Sequence, residues 1–201
     1  RDLEIRGAGN LLGQQQSGHL EAVGYDLYCK MLNEAVKHLK GEMEEEDYTT
    51  TIDLNIDAYI PDTYISNEYQ KLDIYKRIAA IESEEEMEDM VEELIDRFGD
   101  IPKKVEMLLT VAQLKALAHK VYVTAVEQKG DTYTFAMYER AKVCPEKIPA
   151  LLKEFRDDLA FKAEPPMFIY RKKRINKRDK TGSALEVVKN VLIGIKGLLG
   201  S

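Results

Sequence analysis

Residues 121–137 read VYVTAVEQKGDTYTFAM, and this stretch decides the class of fold that the chain can adopt. Apolar side chains alternate with their neighbours on both sides of the dipeptide Gly130-Asp131. Two alternating runs joined by a short glycine-containing link are typical of an antiparallel β-hairpin. The apolar positions are Val121, Val123 and Ala125 in the first run and Tyr133, Phe135 and Met137 in the second.

Two further segments, one on each side of the hairpin, are predicted to be strands. Residues 51–60 alternate polar and apolar side chains until Pro61, which cannot donate a ladder hydrogen bond. Residues 167–171 form a brief apolar run after Pro165-Pro166. The chain therefore contains strand patterns at widely separated positions.

Apolar residues at helical spacing predict three helices within residues 61–121, one at residues 145–157 and one after Ser183. Asn67, Ser83 and Ser183 are each followed three residues later by Gln or Glu, which is the pattern of a capped helix start. The predicted buried faces include Tyr69, Ile95 and Leu117.

Strands separated by blocks of helices predict an α+β fold rather than a doubly wound parallel sheet. We expect a compact domain at residues 48–201, with a small mixed or antiparallel sheet packed with about five helices. Before it, residues 1–41 are predicted to be a helical and loop appendage that includes a helix at residues 19–39. Residues 42–47, EMEEED, are predicted to be an extended acidic linker, because their carboxylates repel one another.

Charge is distributed unevenly along a chain whose formal net charge is −7. Residues 48–130 carry −8, whereas residues 131–201 carry +6. This balance argues against non-specific nucleic-acid binding as the main activity, and it leaves room for a local contact with an anionic partner. No apolar run approaches the roughly 18 residues of a membrane span. Two cysteines 115 residues apart fit reduced thiols in a cytoplasmic protein, and a start without Met predicts a piece of a longer protein.

The densest basic segment is residues 171–180, RKKRINKRDK. One interpretation is a solvated turn between a strand and the next helix, which is the commoner role of such a run. The alternative is a small DNA-binding module in which the cations contact phosphates. Its neighbours Phe168 and Tyr170 offer few rings for base stacking. The candidate polyanion contacts are Arg171, Lys172, Lys173, Arg174, Lys177 and Arg178.

Sequence patterns of catalysis and cofactor binding are missing from the chain. It contains no Gly-Lys-Ser or Gly-Lys-Thr, so it has no phosphate-binding P-loop. His19, His38 and His119 lack metal-ligand spacing. The acidic run Glu82–Glu93 lacks the spacing of a calcium loop and is interpreted as a solvated helical turn. We therefore expect a non-enzymatic chain that binds no nucleotide, metal or other cofactor.

Residues 1–19, RDLEIRGAGNLLGQQQSGH, combine arginines, glycines and three consecutive glutamines in a polar stretch. The segment RGAGNLLGQQQSGH resembles the translocation motif of RecG-type superfamily 2 DNA motors. Three later segments, IDAYIPD at residues 56–62, YKRIA at 75–79 and ELIDRFG at 93–99, are similar to the bacterial transcription-repair coupling factors. The resemblance runs from residue 1 to about residue 120, and beyond residue 122 it weakens to an order of elements.

The resemblance implies a part of an ATP-driven translocase on double-stranded DNA that displaces stalled RNA polymerase and recruits UvrA. ATP and Mg would bind in motor lobes outside this chain. By position, Arg6 resembles the coupling arginine and Gln16 the loop glutamine of the translocation motif. From about residue 48 the chain resembles a regulatory domain that packs on a UvrB-like module of the same protein. The motif residues that the resemblance assigns are Arg1, Arg6, Gly7, Gly9, Gly13, Gln16 and Gly18.

Overall fold

The hairpin predicted from residues 121–137 lies inside a five-stranded mixed sheet in the computed structural model, which describes residues 48–172 and 183–200. The strands are β1 (Thr51–Asp53), β2 (Val123–Lys129), β3 (Thr132–Met137), β4 (Leu159–Lys162) and β5 (Met167–Arg171). Their order across the sheet is β1-β2-β3-β5-β4. Strand β1 is parallel to β2, and the other neighbouring pairs are antiparallel.

Five α-helices accompany the sheet within the described residues, which confirms the predicted α+β class. They are α1 (Glu68–Ala79), α2 (Glu84–Phe98), α3 (Lys103–Lys120), α4 (Ile148–Glu154) and α5 (Ala184–Lys196). A 3-10 turn, Pro145–Lys147, leads directly into α4, so the helix predicted at residues 145–157 is present in two pieces.

The described residues fall into two compact units. Residues 56–113 form the helical unit, which contains α1, α2 and the first part of α3. The sheet unit comprises the described residues of 44–55 and 114–201, with the whole sheet, α4 and α5. The predicted appendage at residues 1–41 and the predicted linker at 42–47 lie outside the described residues, so those boundaries stay predictions.

The hairpin turn is the predicted Gly130-Asp131 dipeptide, since Lys129 pairs with Thr132 across it. Gly130 has a φ of 58°, a conformation that glycine adopts without the steric cost of a Cβ. The first strand, however, begins at Val123 and not at Val121. The Val121 N–H still donates to the carbonyl of Leu117, because this residue belongs to the last turn of the preceding helix.

A β-bulge in β2 changes which of its side chains are buried, compared with the strict alternation that the sequence predicts. The register with β3 shifts between Val123 and Ala125, so one extra residue enters this strand. After the shift, Val126 is buried and Ala125 is half-exposed on the opposite face. The predicted assignment of Ala125 to the same face as Val123 is therefore wrong.

The first strand is shorter than residues 51–60 predict. Its ladder stops at Asp53, and the Asn55 N–H donates instead to the side-chain Oε1 of Gln128 at 2.9 Å. Burial continues to alternate beyond the ladder, since Leu54, Ala58 and Ile60 are all buried. The alternation of polar and apolar residues over 51–60 therefore indicates an extended, half-buried chain. Only residues 51–53 of it pair in the sheet.

Strand β4 is absent from the sequence prediction. It has four residues, LAFK, and pairs antiparallel with β5 from Leu159–Tyr170 to Lys162–Met167. Its burial alternates weakly, with only Leu159 buried. Four residues carry too little periodicity to distinguish a strand from a loop.

Three predicted helix caps are confirmed. The side chains of Asn67, Ser83 and Ser183 accept hydrogen bonds from the backbone N–H three residues later. Three buried-face predictions are wrong. Tyr69 is 85% exposed and Ile95 is 47% exposed, while Leu117 is half-buried because Leu114 and Ala118 occupy the inner side of α3.

The two units bury separate sets of apolar side chains. In the helical unit Ile74, Ile78, Leu94 and Leu108 are fully buried. In the sheet unit, the corresponding set is Ile52, Phe135, Phe168, Val188, Val191, Leu192 and Ile195. No helix among the described residues is both long and apolar enough to cross a membrane.

Candidate interaction surfaces

The structure describes only two of the residues that the sequence singled out as contacts. Arg171 ends β5 with an exposed side chain, and Lys172 follows it half-buried. The other basic-run candidates, Lys173, Arg174, Lys177 and Arg178, lie outside the described residues. The same holds for the motif residues Arg1, Arg6, Gly7, Gly9, Gly13, Gln16 and Gly18.

The rings beside the basic run are committed to the core of the sheet unit. Phe168 is 0% exposed. Tyr170 packs edge-on against Tyr133 and Phe155, with ring centroids 5.9 and 6.2 Å apart. Burial raises the pKa of the Tyr170 hydroxyl, with a further contribution from Asp158. Neither ring is free to stack on a base. The described part of the basic run can therefore contact a polyanion only through its charges.

The helical unit carries most of the negative charge. Residues 56–113 include fifteen acidic and six basic side chains. Along α2, four carboxylates recur three or four residues apart and project from one side of the helix. We call this set the acidic face: Glu85, Asp89, Glu92 and Asp96, all exposed.

An exposed isoleucine lies on one flank of the acidic face. Ile95 is 47% exposed, next to Asp96 and seven residues after Glu88 on α2. The opposite side of α2 buries Met90 and Leu94. A large aliphatic side chain left half in water beside carboxylates has the composition of an interface anchor with a polar rim.

The other flank of the acidic face is fixed by an ion-pair cluster, Arg77–Glu93–Arg97. Arg77 Nη2 donates to Glu93 Oε1 at 2.7 Å, which joins α1 to α2. Arg97 Nη1 donates to Glu93 Oε2 at 3.0 Å. These hydrogen bonds, that of Arg77 foremost, lower the pKa of the Glu93 carboxyl to about 2. Glu93 is therefore a structural carboxylate, in contrast to the four carboxylates of the acidic face.

Two tyrosines fasten the irregular segment before α1 to the helices of the helical unit. The Ile60 N–H donates to the Tyr75 hydroxyl at 2.8 Å, and burial raises the pKa of that hydroxyl. The Tyr64 hydroxyl lies 3.1 Å from the carbonyl oxygen of Leu94 and 3.0 Å from that of Gly99. The Tyr64 contacts thus link the carboxyl end of α2, where Ile95 lies, to this segment.

In the sheet unit, a buried threonine connects the approach to β1 with the end of α3. Thr50 is 0% exposed, and its hydroxyl donates to the carbonyl of Val123 at 2.7 Å. Its oxygen also lies 3.0 Å from Nδ1 of His119. Because the single hydroxyl proton points to Val123, the imidazole Nδ1 must be the donor in this contact. The Tyr48 ring packs on His119 and on Tyr138, with centroid distances of 4.6 and 4.7 Å.

A groove of about 750 Å³ lies in the sheet unit where the end of β3 meets the β4–β5 loop. The Met137 N–H donates to the carbonyl of Pro166 at 2.9 Å and fixes the two walls together. The groove is lined by Thr124, Ala136, Met137, Tyr138, Glu139, Arg140, Pro165, Pro166 and Met167. No sequence pattern predicts this groove, because its walls come from three separate segments.

Within the described residues, no group of three or more His, Cys, Asp or Glu side chains is arranged to hold a metal ion. The sequence pattern predicts a solvated acidic run and a buried Ile95, so it does not indicate that an exposed Ile95 lies beside the carboxylates. The signal that could have found it is Ile95 lying directly next to Asp96 at the edge of the apolar arc. Periodicity alone places such a residue inside.

A family model named TRCF domain matches residues 54–148. The chain is 40% identical over 201 residues to the transcription-repair-coupling factor of Bacillus subtilis (strain 168), across 98% of this chain and 17% of that protein. It is 46% identical over 143 residues to the transcription-repair-coupling factor of Staphylococcus haemolyticus (strain JCSC1435), across 70% of this chain and 12% of that protein. The chain thus spans less than a fifth of the length of these relatives.

A solved structure similar to this chain is the crystal structure of the C-terminal domain of a transcription-repair coupling factor. It is 29% identical to this chain, with a TM-score of 0.59, and the match covers 75% of this chain and 92% of that chain.

Proposed function

The chain belongs to the transcription-repair-coupling factor family, and from this premise we propose that residues 48–201 are a regulatory interaction domain of a longer protein. The longer protein would be a cytoplasmic, ATP-driven translocase on double-stranded DNA that displaces stalled RNA polymerase and recruits UvrA. The part described here acts by occupying a UvrB-like module of the same protein. While it is docked, the surface of that module that binds UvrA is covered.

The observation that carries this proposal is the acidic face of α2 with Ile95 on its flank. A large aliphatic side chain at the edge of a charged face can anchor a contact by desolvation. The surrounding carboxylates select a basic partner surface and disfavour other acidic surfaces. Both are presented by a helix whose position is fixed through Arg77 and Glu93. The partner patch is therefore expected to be basic at its rim, with an apolar hollow for Ile95.

Such a contact suits a regulatory latch, because a latch must form and break repeatedly while the protein is active. Interfaces between domains of one chain are typically modest in area and more polar than obligate interfaces. One aliphatic anchor with a charged rim fits that class. Exposed carboxylate pairs are weakened by salt, so the latch is expected to loosen as ionic strength rises.

Deletion of residues 48–201 from the full-length protein tests the proposal. A coupling free energy of about 1–3 kcal/mol predicts roughly a 5- to 150-fold rise in affinity for UvrA. The same deletion should release DNA translocation from repression. Unchanged UvrA affinity together with unchanged translocation would refute the regulatory role.

For residues 1–19 we propose the role of coupling ATP hydrolysis to movement on DNA. The proposal rests on the resemblance of Arg6 and Gln16 to the motif positions. Arginine offers bidentate contacts and glutamine a neutral donor and acceptor, which suit contacts that form and break in a cycle. In the full-length protein, Arg6→Ala or Gln16→Ala should reduce translocation more than ATP hydrolysis.

ATP and Mg belong to the motor lobes in this proposal, and calorimetry with Mg-ATP should give no micromolar binding to this chain.

A second candidate function is favoured by the exposed Arg171 at the end of β5: backbone contact with DNA through the basic run. Electrophoretic band shifts measured against salt concentration distinguish it from the latch. Genuine phosphate contacts give a slope that falls when Arg171 is replaced by Gln, whereas a solvated turn gives weak binding without that change.

A further inference from the structure

The sheet has one buried face and one partly exposed face. Residues that pair directly across neighbouring strands point to the same side of a sheet. Val126, Phe135 and Phe168 are paired in one such row and are at most 1% exposed. The adjacent rows point the other way. We call this side the open sheet face, defined by its central residues Ala125, Thr134, Ala136, Ala160, Met167 and Ile169.

The size of the open sheet face suits one helix. Five strands spaced about 4.8 Å apart are roughly 19 Å wide, and β2 is roughly 23 Å long at about 3.3 Å per residue. An α-helix with side chains is about 10–12 Å across, so one helix fills the middle of such a surface. An area of roughly 400 Å² is about half of what each partner buries in a standard interface between two proteins. The face is therefore too small to hold a second copy of this chain by itself.

The chemistry of the open sheet face favours a protein over a nucleic acid. Its central side chains are Ala, Thr, Met and Ile, whose small or flexible groups accept the ridges of a helix. In the described strands, the aromatic rings of Tyr133, Phe135, Phe168 and Tyr170 belong to the opposite rows of the register. Single-stranded nucleic acids are held on sheets by stacking on such rings. The described strands therefore present no ring on this face for base stacking, and Tyr138, which lines the groove at the end of β3, packs on Tyr48.

The charges at the two edges of the open sheet face have opposite signs. Asp53 on β1 and Glu127 on β2 lie at one edge, and the Nζ of Lys129 is 3.5 Å from a Glu127 oxygen. Lys162 lies on the other edge strand, β4, and Arg171 ends the neighbouring strand β5; both are exposed. Because Lys129 offsets the charge of Glu127, a partner that follows the strands meets Arg171 and Lys162 on one side and Asp53 on the other.

We propose that the open sheet face docks one amphipathic helix of a protein partner, its apolar stripe on Ala136 and Ile169. Its acidic flank lies over β5 and β4, toward Arg171 and Lys162, and its basic flank lies toward Asp53. This site is separate from the acidic face of α2, so it does not depend on the proposed latch.

Two synthetic peptides test the proposal on the whole 201-residue chain, with backbone amide shifts read by NMR. Both are 14-residue helices with the same Leu/Ala stripe. One carries Glu on one flank and Lys on the other, and the second carries Lys on both flanks. We expect the first peptide to shift the amides of β3 and β5 and to bind at least about fivefold more tightly than the second.

Charge reversal at the edge of the face tests the orientation. Lys162→Glu should weaken binding of the first peptide about two- to fivefold, the size of an exposed ion-pair effect. Lys153→Glu on α4, which is exposed but outside the open sheet face, is the matched control and should change nothing. Ile169→Asp places a charge under the apolar stripe and should abolish binding, while the dispersion of the amide spectrum reports that the chain is still folded.

Several results would overturn the proposal. Equal affinity for the two peptides would remove the charge argument, and shifts confined to other surfaces would remove the site. Binding of an oligothymidine to β3 and β5 would assign the face to single-stranded nucleic acid. Shifts of the same amides that depend on protein concentration alone would assign it to a second copy of the chain.

Discussion

The helical unit and the sheet unit are stabilised by contacts of different sequence range. Arg77 and Glu93, which join α1 to α2, are 16 residues apart. Thr50 reaches a carbonyl 73 residues away, that of Val123, and the sheet pairs equally distant segments. In a unit stabilised by local helix caps and ion pairs, substitutions of exposed residues should have little effect on the stability of the fold. A sheet assembled from distant strands depends on a few buried side chains that several strands share.

The largest expected effect is that of removing a central aromatic ring from the sheet unit. Phe135 is 0% exposed on a strand that pairs on both sides, so Phe135→Ala should cost about 3–5 kcal/mol. Urea unfolding gives the loss, and hydrogen exchange locates it. Tyr69→Ala, which changes an aromatic residue that is 85% exposed, should stay within about 0.5 kcal/mol. Equal loss of exchange protection in α1 and α2 would show that the two units do not differ in this way.

A smaller loss is expected from the buried hydroxyl of the sheet unit. Thr50→Val keeps the shape of the side chain but leaves the Val123 carbonyl and the imidazole of His119 without this partner. An unsatisfied buried polar group costs about 1–3 kcal/mol. Thr51→Val is the matched control, because the neighbouring threonine is exposed on β1. If both variants unfold at the same urea concentration as the unchanged chain, the long-range contact contributes no stability.

The smallest expected effect is that of the ion-pair cluster in the helical unit. The pKa of Glu93 is lowered in the folded state, so its contribution is present above the ordinary carboxyl pKa of 4.5 and is lost as pH falls toward 2. Because the cluster is partly exposed, Glu93→Gln should cost less than about 1 kcal/mol at pH 7. The difference from the unchanged chain should disappear between pH 4.5 and pH 2 in urea unfolding.

Glu92→Gln is the control for that measurement, since its carboxylate belongs to the exposed acidic face. It should show little difference at either end of the pH range. A Glu93→Gln deficit that persists unchanged at pH 2 would mean that packing, and not the carboxylate charge, explains the loss.

What the sequence predicts well in this chain is local. The caps at Asn67 and Ser83 depend on residues three positions apart, and the hairpin turn depends on Gly130-Asp131. The parallel pairing of Thr51 with Ala125 joins two segments that no sequence pattern connects. The bulge after Val123 moves Ala125 to the opposite face of the sheet, although the alternation of apolar residues in the sequence continues through it. Non-local pairing therefore had to come from the structure.

The candidate surfaces were less predictable than the fold. Hydrophobic periodicity identifies the centre of a helix's buried arc but not its edge, so it assigned Ile95 to the core although 47% of it is exposed. The acidic residues of α2 gave a correct expectation of exposure without indicating a partner. The open sheet face depends on the register of four strand pairs, one of which includes the unpredicted β4. The coupling residues Arg6 and Gln16 come from the resemblance alone and remain predictions.

The most direct test of the proposed latch is the titration of this chain into a separately purified UvrB-like module of the same protein, followed by calorimetry. We expect saturable binding that weakens with salt and that Ile95→Glu reduces by at least about fivefold, as for an interface anchor worth more than about 1 kcal/mol. Tyr69→Glu, which introduces the same charge at a more exposed position on α1 of the same unit, should bind like the unchanged chain. No binding, or identical binding by the Ile95→Glu and Tyr69→Glu chains, would contradict the account.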